Sequence, residues 1–252
     1  GEFQRADGYI GTYSDDAYVV PTDPERQRMC WNLWGRKYTL WALVEVYRIS
    51  GDRTILTAAE RLYDQQLSLL DRLGLKLRDT GCFDGLPSLS VLKPLLLLYQ
   101  ASGKGKYLDS AREIVAEMDD PDPSNPPPNL VRNAFRPEGV YSWYPPRPGS
   151  LREHTKAYEL MSCCEGLVEY ARVTGERRPL EAVERIADKL AADELDVMGS
   201  VGFMDGFCGA ARRVNGISEC CDVIHWIRLC AALDRATGDP RHLDRLETAF
   251  FN

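Results

Sequence analysis

Four Ser-Gly or Thr-Gly pairs, at 50–51, 102–103, 174–175 and 237–238, each separate two amphipathic stretches, and a leucine follows each glycine by five residues: Leu56, Leu108, Leu180 and Leu243. A glycine in the left-handed conformation is the usual way to end one helix so that another starts within a few residues. The pattern predicts four tight helical hairpins, with first helices over 33–49, 89–99, 158–173 and 223–236. The glycines lie 52, 72 and 63 residues apart. Such hairpins bury little alone and have to stack on one another.

The first helix of each pair is apolar nearly all round, whereas the second carries one charged face. An inner and an outer ring of helices demand that division. The predicted fold class is therefore all-α: a toroid of the (α/α)6-barrel type built of hairpins, with about eight helices present, read as one domain over 1–252. A plain helical solenoid is the competing arrangement. The connections between hairpins, 75–88, 120–153 and 195–217, are long and rich in Gly, Pro and aromatics. Residues 120–150 contain PDPSNPPPN and YSWYPPRPG, and their prolines predict no regular helix there. Long loops concentrate function, and the polar clusters WGRKY (34–38), REHTK (152–156) and SECCD (218–222) all fall beside one. One functional mouth is expected at that end.

A net charge of −7 with no run of Lys or Arg argues against a nucleic-acid partner, which needs a basic surface. No apolar run approaches the ~20 residues that span a bilayer, and no signal-peptide pattern opens the chain; a cytoplasmic protein is expected. Walker, dinucleotide, G-x-S-x-G and H-E-x-x-H motifs are missing, which lowers the case for nucleotide, flavin and classical hydrolase chemistry. Eight cysteines are sparse for a disulfide scaffold in a chain of 252 residues, and reduced thiols with one metal site are the expectation.

Ser218 is a candidate N-cap that places Cys221 in a helical first turn, where unpaired N–H groups favour a thiolate. Cys221 and His225 are four apart, a ligand spacing on one helical face. Glu219 lies about 200° round an ideal helix from Cys221, so both reach one metal only if the first turn is distorted. Buried cysteines and a packed His225 are the alternative reading. His242 belongs to an outer helix and is expected to be exposed. His154 opens an inner helix after an aromatic loop, and Trp34, Tyr38 and Trp143 add rings of the kind that stack on sugar faces; core packing is the alternative for these too.

DGYIGTY (7–13), WNLWGRKYTLWALVEVYRISGD (31–52), SECCDVIHWIRLCAALDRATGD (218–239) and LETAFFN (246–252) together resemble the family 127 β-L-arabinofuranosidases, in collinear order over most of the chain. The resemblance implies the (α/α)6 barrel and an exo-acting, retaining glycosidase whose nucleophile is a zinc-bound cysteine. It implies zinc as cofactor and an oligosaccharide or glycoside as partner. By the family's E-x-C motif, Glu219 and Cys221 are the metal ligands. The segment MDGF aligns Asp205 with the family's acid/base glutamate, and EHTKAY aligns His154 with a sugar-contacting histidine. Arg36, Trp34, Tyr38 and Trp143 complete the implied substrate contacts. Two further family histidines have no counterpart, their places falling at Tyr38 and Ser88, so the sugar bound is open. The family's cysteine pair lies downstream of the segment matched by 246–252, and the expectation is a fragment of a longer enzyme, inactive alone. Rival readings are an unsaturated uronyl hydrolase or epimerase without metal, and a noncatalytic glycan-binding helical domain.

Overall fold

The computed structural model describes residues 3–14, 17–20, 30–121, 129–136, 156–207, 209–210 and 216–252. Among these residues the regular structure is helical, in two compact units, Gly1–Ile114 and Val115–Asn252.

In the first unit, α1 (Asn32–Ser50) pairs with α2 (Arg53–Leu73), followed by one turn, α3 (Leu86–Leu89), and by α4 (Leu92–Ser102) and most of α5 (Gly105–Glu117). Gly51 ends α1 at φ 70°, its N–H returned to the Tyr47 carbonyl, and Asp52 then caps α2 by accepting from Thr54 N. Gly103 repeats the device at φ 71°. Leu33, Leu40 and Val44 of α1 are buried with Leu56, Leu62 and Leu69 of α2. Lys104 and Lys106 pair with Glu60 and Asp64 of α2, and Tyr107 meets Tyr63 edge-on.

In the second unit, α6 (Leu130–Asn133) precedes two more hairpins: α7 (Ala157–Thr174) with α8 (Arg177–Asp193), and α9 (Cys220–Thr237) with α10 (Pro240–Phe251). Gly175 and Gly238 cap α7 and α9 at φ 79° and 70°. The helix α7 is buried almost throughout, from Ala157 to Ala171, and packs on both α8 and α9. The buried residues of α8 form a single stripe, Pro179, Ala182, Val183, Ile186, Ala187 and Leu190. The predicted contrast between an apolar first helix and a one-faced second helix is plain in the α7–α8 hairpin, whereas α9 buries one face only.

The leucine five residues after the glycine is buried only at Leu56; in the other hairpins the residue before it, Tyr107, Pro179 or His242, takes that place while Leu243 stays 43% exposed. The structure corrects the sequence reading at three points. The stretch 120–150 includes one helical turn, α6, because LVRN carries no proline, and Val131 N and Arg132 N close onto the Met118 carbonyl. The N-cap position of the last inner helix is Glu219, whose side chain makes no capping bond, rather than Ser218, whose hydroxyl donates instead to the Gly202 carbonyl. Lastly, His242 is buried, 1% exposed, on the face of α10 that holds Ala249.

Burial, followed by the Arg245 guanidinium, holds the His242 imidazole below the usual histidine range, against the opposing pull of Asp239 and Asp188. A group harder to protonate in the folded chain than in the unfolded one withdraws stability as pH falls through its unfolded pKa, about 6.5. The melting temperature should therefore fall between pH 7 and pH 5, and His242→Leu should remove part of that slope; thermal unfolding across this range checks it.

Candidate active site

The second unit contains a two-residue hairpin over 203–206. Phe203 and Gly206 exchange backbone hydrogen bonds of 2.7 and 3.1 Å, and the two residues between them, Met204 and Asp205, have φ of 52° and 64°. This is the type I′ conformation, ordinarily filled by Asn and Gly. Aspartate tolerates the left-handed region because its short side chain bonds locally, but methionine does not. The turn is tied down from both sides. Met204 N donates to Ile217 O, Ala157 N donates to Asp205 O, and Lys156 forms an isolated antiparallel bridge with Gly206.

The carboxylate of Asp205 thus lies beside the beginning of α9. That helix starts at Cys220, with Glu219 extended before it at φ −79°, ψ 141°. The angular objection to Glu219 and Cys221 sharing a site disappears, because Glu219 is not on the helix. Its Oε2 accepts from Cys221 Sγ at 3.5 Å. Asp205, Cys221 and Asp222 each offer a ligand atom, and these atoms lie within 4.8 Å of one another. Asp222 is fully buried and packs against Gly202, where an added Cβ would stand 2.6 Å from Oδ2. Lys156 forms an ion pair with Asp205 Oδ2 and lies 3.7 Å from Glu159 Oε2.

Burial first, then the Asp222 and Glu219 carboxylates, pushes the Cys221 thiol up to about 11. Without a cation the group is thus a protonated thiol among carboxylates. A divalent ion placed there reverses that logic by pairing with both donor types at once. Thiolate with carboxylate oxygens is a donor set that zinc accepts, so the residues fit the metal implied by the sequence. In metal-free protein at pH 8, the exposed Cys220 should alkylate first and Cys221 at least about tenfold more slowly; peptide mapping after brief iodoacetamide treatment checks this.

His225 has another role. Its Nδ1 lies 2.7 Å from Glu165 Oε1, its ring meets Tyr158 edge-on at 4.2 Å, and Glu165 Oε2 accepts from Nε and Nη2 of Arg228 at 3.1 and 3.0 Å. The buried packing reading, rather than metal ligation at the i, i+4 spacing, describes it.

Of the predicted substrate contacts, Trp34, Arg36 and Tyr38 lie on α1 in the first unit. Trp34 stands edge-on between Trp31 and Tyr38, with centroids at 5.3 and 4.8 Å, and Tyr38 stacks with Trp41. Arg36 is buried under the Tyr9 ring, donating to Asn32 Oδ1 at 2.8 Å and to Gln65 Oε1. Lys37, which sequence reasoning passed over, is fully buried, donates to Ser90 Oγ at 2.9 Å and lies 4.4 Å from the Tyr38 ring centre. His154 and Trp143 lie outside the described residues. The clusters SECCD and REHTK include Asp222 and Lys156, but the sequence assigned neither a role. Gly202, where only a residue lacking Cβ leaves room for Asp222, was the available signal for the first.

A family profile described as "Beta-L-arabinofuranosidase, GH127 catalytic domain" matches residues 1–252. No curated protein sequence matches the chain significantly. A solved GH127 β-L-arabinofuranosidase from Geobacillus stearothermophilus T6 superposes with a TM-score of 0.67 at 20% identity, covering 99% of this chain and 40% of its own. Another GH127 β-arabinofuranosidase gives 0.66 at 18%, covering 99% and 38%. A sugar epimerase from a ruminal bacterium gives 0.63 at 13%, covering 87% and 58%. These likenesses identify the fold as the all-α class of α/α toroids built from hairpins. The chain spans about two fifths of the length of the two β-arabinofuranosidase structures.

Proposed function

Because this chain belongs to the family of GH127 β-L-arabinofuranosidase catalytic domains, we propose that it is the helical catalytic domain of a glycoside hydrolase that cleaves arabinofuranoside-type glycosides with retention. One observation carries the reading: Asp205, Cys221 and Asp222 converge within 4.8 Å in a chain that matches the family from end to end.

A retaining enzyme needs a nucleophile on one face of the anomeric carbon and a proton-exchanging group on the other. Glu219 and Cys221, with Asp222 beside them, would hold zinc. When bound, zinc would keep the Cys221 sulfur a thiolate; no residue of 1–252 is assigned as the nucleophile. Asp205, ion-paired with Lys156 in the resting site, would take up a proton as substrate binds, give it to the leaving oxygen as the glycosidic bond breaks, and then take one from the water that releases the sugar. Trp34, Tyr38, His154 and Trp143 are the proposed sugar contacts, the rings covering apolar sugar faces and His154 bonding a hydroxyl; Arg36, buried under Tyr9 and bonded to Asn32 and Gln65, serves the packing of the first unit instead.

The test is hydrolysis by the full-length protein of chromogenic β-L-arabinofuranoside, α-L-arabinofuranoside and arabinopyranoside. Release from the β-L-arabinofuranoside, with the β-anomer formed first by NMR, is expected. No release from any of the three would overturn the proposal in favour of a binding domain.

A further inference from the structure

The Met204–Asp205 turn adopts a conformation that methionine disfavours, with φ of 52° and 64°, and such a conformation persists only where surrounding contacts over-determine it. The start of α7 supplies those contacts. The Lys156–Gly206 bridge and the hydrogen bond from Ala157 N to Asp205 O, at 3.2 Å, fix the backbone. The Lys156 ammonium fixes the side chain through Asp205 Oδ2, and both side chains are more than nine-tenths buried, at 9% and 8% exposure. In such surroundings an ion pair is directional and strongly held.

We propose that Lys156 is a positioning residue: by engaging Oδ2 it sets the rotation of the Asp205 carboxylate and aims that carboxylate at the Cys221–Asp222 edge of the site. The inference rests on the glycosidase reading for its consequence and on the ion pair for its geometry. Asp205 is within 4.8 Å of the ligand atoms of Cys221 and Asp222, so a turn that relaxes or a carboxylate that rotates shifts the proton-exchanging group relative to the reacting centre. A displacement of about 1 Å costs on the order of a hundredfold in rate. A second charged group near Lys156 among the described residues, Glu159 Oε2 at 3.7 Å, stands one helical turn further on.

The experiment compares Lys156→Met, Lys156→Arg, Asp205→Asn and the double variant Lys156→Met/Asp205→Asn in the full-length protein. Lys156→Met should lower kcat about tenfold to a hundredfold with KM within about twofold, and Lys156→Arg should restore most of it. The double variant should be no slower than Asp205→Asn alone, because Lys156 acts through Asp205. In 15N-lysine-labelled protein, a slowly exchanging ammonium resonance that disappears in Lys156→Met should shift or broaden in Asp205→Asn. Additive kinetic losses, a melting temperature that falls while kcat does not, or an ammonium signal indifferent to Asp205→Asn would each overturn the proposal. If the unaltered protein hydrolyses no arabinoside, the glycosidase reading fails while the ammonium signal still decides the pairing: a shift in Asp205→Asn supports it, and no shift ends it.

Discussion

Asp205→Asn should lower kcat of the full-length enzyme by about 10²- to 10⁴-fold, the usual range for losing a proton-exchanging group. The substitution keeps the shape of the turn while removing the charge. Asparagine is isosteric with aspartate and occupies the left-handed region at least as readily, so the turn at φ 64° should survive. The backbone bond from Ala157 N to the residue-205 carbonyl is untouched. The charge that faces Lys156 and the proton-exchanging oxygen are lost. Steady-state kinetics beside a melting curve check it: a large fall in kcat in protein that still unfolds cooperatively, with a melting temperature lowered by the loss of the buried Lys156 partner, is expected, and unaltered kcat would remove Asp205 from the mechanism.

Glu165→Ala should cost the second unit about 3 kcal/mol, as breaking a buried ion pair does. The carboxylate is 1% exposed and accepts two hydrogen bonds from Arg228 while meeting His225 Nδ1. Removing it strands the buried imidazole, whereas Arg228, whose side chain is 36% exposed, turns to water and adds little. Since α7 and α9 both contribute to this network, the loss should reach both hairpins of the unit. Urea unfolding followed by circular dichroism measures it; a change below about 1 kcal/mol would mean that the apolar packing of α7 on α9 holds the pair without it.

The hairpins were legible because a helix stop has a local chemical cause. Gly51, Gly103, Gly175 and Gly238 all adopt positive φ, and nothing distant is needed to predict it. The leucine register was less legible, because which residue of an outer helix faces inward depends on the crossing of two helices and not on the turn. The site was legible in part. Glu219 and Cys221 were reached through a motif, and their proximity depends on α9 starting one residue after Glu219, a boundary that local propensity does not settle. Asp222 was passed over because aspartate in a first helical turn is ordinary, and its burial is made by Gly202, twenty residues away. The pairing of Lys156 was hidden for the same reason: its partner lies on a turn that comes close only in the folded chain. His242 misled because charged neighbours on α10 suggest a solvated face.

The most direct measurement of the central claim is the zinc content of the full-length protein, by elemental analysis after exhaustive dialysis, for the unaltered chain and for Cys221→Ala. The site described here predicts about one zinc per chain, a metal–thiolate absorption band after cobalt substitution, and the loss of metal, band and arabinosidase activity together in Cys221→Ala. Full activity in protein free of zinc, or zinc retained undiminished by Cys221→Ala, would contradict it.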